Sequence, residues 1–202
     1  SPNQTLINQA TEFLGNAGTK KGYLPNLMVI AVNKEIELHL RQAAAIQMKN
    51  TIDEHWRWNR IPVEDCVLFK ENALEAIIKT SDEKKIHVHF QLSILKAAGY
   101  DFPAKWDGIF DAILNNLKSS SDFGVIKGCL LALLNLIRTF ENQGDEDRIP
   151  LNNMVELSFG LLEAFAEKLL PHYNELASAQ LMKIILKIFF AAVHYELPPY
   201  LQ

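Results

Sequence analysis

Residues Trp106 to Leu117 read WDGIFDAILNNL. Trp106, Ile109, Phe110, Ile113, Leu114 and Leu117 recur at steps of three and four without a miss, which places them on one stripe of an α-helix. The same rhythm continues in both directions, and strand-type alternation is essentially absent, so the chain reads as all-α. Upstream, Ser1 as N-cap and Pro2 at the first helical position open a helix that Gly15 to Gly18 end. A short helix follows from about Tyr23, then Glu35 to Trp56 and Pro62 to Lys79. Ser81 in SDEKK is expected to cap the next helix, which runs to about Ala98 and closes at GYDFP. The remaining helices are Ala104 to Lys118, Phe123 to Glu141, Leu151 to Leu170 and Ala177 to Glu196.

These helices are joined by short connections and pair with a period of about 40 to 50 residues, as expected of HEAT-type arrays, where each pair buries a face only by stacking on its neighbours. The expected fold is a right-handed α-α superhelix, a HEAT-repeat solenoid of about five antiparallel pairs with the first incomplete. Residues 1–202 form one array. Because the first helix lacks a partner before it and ELPPYLQ offers no polar cap, the chain is expected to be a fragment of a longer array.

At 49% hydrophobic and 22% charged residues, the 202-residue chain buries a real core. A net charge of -4 and a pI near 5.9 argue against nucleic acid as a ligand and permit a basic protein partner. The longest apolar runs, GVIKGCLLALLNLI and LMKIILKIFFAAV, are broken by lysine and read as too short to span a bilayer, so no membrane association is expected. The amino terminus shows no secretory pattern. Cys66 and Cys129 have neither CxxC nor metal spacing and read as free buried thiols.

Catalytic constellations are missing. His87 and His89 stand two apart on one helix, roughly 200 degrees around its axis, and do not share a metal facially. No GxGxxG, GxxxxGK[ST], GxSxG or HExxH occurs, and the acidic loop ENQGDEDRIP at 141–150 lacks the calcium-loop spacing. The expectation is a binding protein, not an enzyme, without cofactor or metal.

On the helix from Glu35 to Trp56, Leu40, Ala44, Met48 and Ile52 share the side that packs. Arg41 falls among them and needs a buried partner; Glu35, in the turn before the helix, is the candidate for a ladder between repeats. Lys49 turns about 80 degrees away, on the polar side with Glu35, Gln42 and Asp53. Lys85, His89 and Lys96 form a stripe on the next long helix, and Lys127, Asn135 and Arg138 on the one after it. If second helices line the inner surface of the superhelix, these stripes make one extended contact surface.

RQAAAIQMKNTIDEHW at Arg41 to Trp56, ENALEAII at Glu71 to Ile78, GYDFPAKWDGIFDAI at Gly99 to Ile113, RIPL at Arg148 and KIFFAAVHYELP at Lys187 resemble, in order, the importin-β or karyopherin transport receptors. The last two look most like the importin seven and eight branch. About 1–79 would be the family's amino-terminal homology region, although Glu12 stands one place late and the helix normally preceding it is absent. The resemblance implies a monomeric receptor shuttling between cytoplasm and nucleus. It would bind the GTPase Ran in its GTP form through inner helices, FG-repeat nucleoporins between outer helices, and basic cargo such as ribosomal proteins or histones further along. The residues carried over to Ran are Lys49, Asn50 and Asp53, with Lys85, His89 and Lys96 as a second rung. Candidate phenylalanine pockets lie near Phe110, Phe159 and Leu162, where core packing competes. The alternatives are an export receptor of the same superfamily and a HEAT scaffold holding enzyme subunits.

Overall fold

A computed structural model describes residues 2–194 and 197–201. They form α1 (Pro2–Ala17), α2 (Tyr23–Val32), α3 (Leu38–His55), α4 (Val63–Lys79), α5 (Lys84–Asp101), α6 (Gly108–Ser119), α7 (Phe123–Arg138), α8 (Ile149–Leu169) and α9 (Leu176–Val193). Short 3-10 turns occur at Asp145–Arg148, Leu170–His172 and Pro199–Leu201. No strand occurs among the described residues. Ser1 and the expected end of the last helix at Glu196 lie outside them.

Contacts sort the helices into two rows. The first helices α2, α4, α6 and α8 pack side by side, as do the second helices α3, α5, α7 and α9, and each first helix packs on the second helix that follows it. The chain is an all-α superhelix of stacked pairs. Before the first pair, α1 rests its end on α3: His55 Nε2 lies 3.2 Å from the Gly15 carbonyl oxygen.

Ties between neighbouring pairs recur at the repeat length. Lys21–Glu64, Gly22–Asp65, Arg41–Glu83, Lys127–Asp82 and Asn135–Gln91 each join residues 42 to 45 apart, and Arg148 at the start of α8 reaches the Ala192 carbonyl of α9, 44 residues on, within the last pair. Gly22 shows why one of them needs glycine. Its φ of 82° is in the left-handed region, and in that pose its N–H donates to both oxygens of the buried Asp65 carboxylate at 2.9 Å. Asp65 in turn lies in the first turn of α4, where the helix dipole favours a carboxylate.

The core runs through the stack. Trp56, Phe69 and Trp106 form an aromatic chain with centroids 5.5 and 5.9 Å apart, linking the end of α3, the middle of α4 and the approach to α6. Downstream, α7 touches α4, α5, α6 and α9, and every residue from Gly128 to Ile137 is buried. The close approach to α4 depends on Gly128, where an added Cβ would come 2.6 Å from the Ile78 Cα.

Several expectations need correction. Ser81 caps nothing: α5 starts at Lys84, Glu83 holds the N-cap position without a side-chain bond, and Ser81 is buried in the preceding turn. That turn is set by Thr80, whose hydroxyl donates back to the Ala76 carbonyl at 2.8 Å, and whose own carbonyl accepts from Glu83 N. Helix α6 begins at Gly108, where the Asp107 side chain accepts the Gly108 N–H, and not at Ala104. Leu40 is 51% exposed, since Arg41 takes the buried position beside it in the first turn of α3, and Ala43 is exposed while Ala44 and Ala45 pack. Finally, α9 is by length and composition apolar enough to cross a membrane, with a mean hydropathy of 1.8. The short runs had hidden this because the helix also includes LASAQ. Its Leu181, Ile185 and Ile188 are buried within this fold, where α9 packs on α7 and α8.

Candidate binding surface

Arg41 is structural. It is 4% exposed, and its guanidinium makes two parallel bonds to the Glu83 carboxylate at 2.7 and 2.8 Å, while Nε donates to the Ala31 carbonyl at 3.1 Å. Glu35, the partner expected from the sequence, is exposed in its turn and takes no part. The side chain leans from α3 to the turn entering α5, so the matching acid belongs to the following pair. A carboxylate one repeat length downstream of Arg41 was the signal for it.

Lys49, Asp53 and Lys96 are brought together. Asp53 accepts from Lys49 Nζ one helical turn earlier at 2.9 Å and lies 3.4 Å from Lys96 Nζ across on α5. Burial pulls the Asp53 carboxyl up, but the hydrogen bond from Lys49 and the charges of both lysines outweigh it and hold the group below its ordinary value. The three line a cleft of about 340 Å³ with Leu92, Leu95, Gly99 and Tyr100, and the Lys96 ammonium stands 6.0 Å from the Tyr100 ring centroid. Leu92 and Tyr100 escaped the sequence reading although they continue the helical spacing of Lys85, His89 and Lys96.

The other expected residues spread around this cleft. Asn50 and Lys85 are exposed, on α3 and α5, and neither lines it. His89 is half-buried; burial and then the Lys49 charge push its imidazole below the ordinary value, which keeps it neutral near pH 7. On the same helix, burial and the Lys127 charge lower His87. The third stripe does not exist as a surface. Lys127 reaches Asp82 at 3.3 Å, and Asn135, 2% exposed, donates to the Leu131 carbonyl at 2.6 Å and to Gln91 Oε1 at 3.4 Å. Only Arg138 of the three is exposed, because α7 is enclosed by four helices.

On the opposite row, Phe110, Phe159 and Leu162 are buried in the core. A groove of about 570 Å³ lies between α4 and α6, beside Phe110, with Val67, Leu74, Ile78, Trp106, Ile109 and Ala112 among its walls. The thiols stay protonated: burial pushes Cys66 up to about 11 and Cys129 up to about 12. Among the described residues no group of His, Cys, Asp and Glu side chains is placed to hold a metal ion.

Residues 10–79 match the importin-β N-terminal domain. The chain is 31% identical to importin-8 of Homo sapiens over 187 residues, covering 87% of this chain and 18% of that protein. It is 32% identical to importin-8 of Danio rerio, covering 85% and 17%, and 21% identical to exportin-2 of Xenopus laevis, covering 100% and 22%. It therefore spans less than a quarter of the length of these relatives. Among solved structures, the exportin Cse1 in its cargo-free, cytoplasmic state shares the fold with a TM-score of 0.79 at 19% identity, over 98% of this chain and 22% of that one. With stacked helix pairs, a matched amino-terminal domain and importin-8 relatives over most of its length, the chain belongs to the importin-β family.

Proposed function

We propose that residues 1–202 are one HEAT array within a longer nuclear transport receptor, with about 1–79 as the amino-terminal homology region, and that the array binds Ran in its GTP form. The observation that supports this most directly is the cleft between α3 and α5. Second helices of adjacent pairs bring Lys49, Asp53 and Lys96 together beside exposed Leu92 and Tyr100, and α3 lies within the matched residues 10–79. Asn50, Lys85 and His89 extend the contact. Such a surface recognises shape: switch loops ordered by the γ-phosphate fit it, and hydrolysis withdraws them. The two lysines are partly neutralised by Asp53, which favours a partner offering carboxylates and backbone groups together over a polyanion.

Nucleoporin FG repeats would enter the apolar groove between α4 and α6 from the other row. Basic cargo, of the ribosomal-protein or histone kind, would bind beyond Gln202, and the receptor would shuttle between cytoplasm and nucleus as a monomer without catalysing a reaction. Import is the first reading because the importin-8 relatives are more similar; exportin-2 matching the whole chain supports export as the second. A pulldown of the full-length receptor with Ran in its GTP and GDP forms tests both. GTP-dependent binding that releases cargo supports import, GTP-dependent binding strengthened by cargo supports export, and binding indifferent to the nucleotide sinks the transport reading.

A further inference from the structure

Between α3 and α4 the chain reads HWRWNR, His55 to Arg60, and the two tryptophans have opposite fates. Trp56 is 4% exposed and packs edge-on against Phe69. Trp58 is 60% exposed, and the Arg57 guanidinium carbon stands 5.0 Å from its ring centroid. The turn is held in shape from both sides. Asn59, in the left-handed region at φ 52°, donates its N–H to the Trp56 carbonyl at 3.1 Å, Arg60 N donates to the His55 carbonyl at 3.2 Å, and the flanking Trp56 and Ile61 are buried.

Arg57 and Arg60 are both exposed, and neither has an ion pair among the described residues. Lys21, Lys49, Lys70, Lys79, Lys96 and Lys127 are each met by a carboxylate, whereas Lys34, Lys84 and Lys85, like the two arginines, have no ion pair among the described residues but stand beside no exposed tryptophan. Glu54, the nearest acid along the chain, lies 3.8 Å from His55 Nε2. An exposed tryptophan flanked by two unneutralised guanidiniums on a rigid turn has the composition of an interface anchor: Trp and Arg dominate binding hot spots, and a preorganised turn loses little entropy on binding.

We propose that the Arg57–Trp58–Arg60 turn docks an acidic peptide segment carrying an apolar side chain, whose carboxylates meet the guanidiniums while the apolar group covers the indole. Charge selects the partner. Two free positive groups call for carboxylates, and a short segment bringing a few of them meets less repulsion from a chain of net charge -4 than an extended polyanion such as nucleic acid does. This site lies on the turn leaving α3, apart from the cleft proposed for Ran, and does not depend on that reading.

The test uses the chain as it stands, titrated into a short fluorescein-labelled peptide of glutamates flanking one leucine, with anisotropy as readout. Trp58 is the one tryptophan of the three that is exposed, so its emission should also shift to the blue on binding. Trp58→Ala, and separately Arg57→Gln with Arg60→Gln, should each weaken binding by about tenfold or more, as removal of a hot-spot residue does. The affinity should fall as salt rises. No binding by the wild-type chain overturns the proposal, as do variants that bind like wild type. Equal or tighter binding of a single-stranded oligonucleotide of matched charge, lost in the same variants, would replace the peptide by nucleic acid.

Discussion

Arg41 and Lys49 lie eight residues apart on one helix and do different work. Arg41 is enclosed, bidentate to Glu83 and bonded to the Ala31 carbonyl, so its removal leaves a carboxylate and a carbonyl without their donor. Arg41→Ala should lower unfolding stability by about 1–3 kcal/mol, read from the denaturant midpoint at unchanged slope. Lys49→Glu removes a partly exposed pair with Asp53 and should cost within about 1 kcal/mol in the same measurement. Glycine gives a second contrast. At Gly128 an added Cβ meets the Ile78 backbone, which has no rotamer to yield, so Gly128→Ala should destabilise by about 1–3 kcal/mol. At Gly108 nothing lies within 4 Å, and Gly108→Ala should leave the denaturant midpoint equal or higher.

At the scale of elements, α5 makes the stability of the fold depend on pH. His87 and His89 both have imidazoles lowered by burial and by a neighbouring lysine, Lys127 and Lys49 respectively. The unfolded chain therefore takes up protons first as the pH falls through the ordinary histidine value near 6.5, and the folded state is penalised from there down through the lowered folded values. Thermal midpoints should fall between pH 7 and pH 5, and the double substitution His87→Gln with His89→Gln should flatten that slope; an unchanged slope would assign it to other groups. Helix α7 shows where element-level reading of the sequence stops. Its Lys127, Asn135 and Arg138 have the spacing of a polar stripe, but spacing does not reveal that four helices enclose it, nor that Asn135 is satisfied by Leu131 and Gln91.

Across the whole molecule, the fold was legible because every pair repeats one physical pattern. The stripe from Trp106 to Leu117 is buried as its spacing requires, and the helix order follows from local periodicity alone. Partner identity was less legible, since it depends on how pairs stack: Arg41 found Glu83 and not Glu35, and Lys96 met Asp53 across two helices. The cleft was half visible, its charged members read from the wheel and its Leu92 and Tyr100 missed because apolar residues on a helix default to the core. The ladder of ties at 42 to 45 residues also fixes α3 and α5 against their neighbours, so the cleft between them is held by more than its own three charged side chains. The measurement that tests this most directly is the affinity of the full-length receptor for Ran loaded with a non-hydrolysable GTP analogue, compared between wild type and Lys49→Glu. A GTP-dependent affinity that falls by about tenfold or more in the variant, with thermal stability retained, is the predicted result. Equal affinity in both proteins would contradict it.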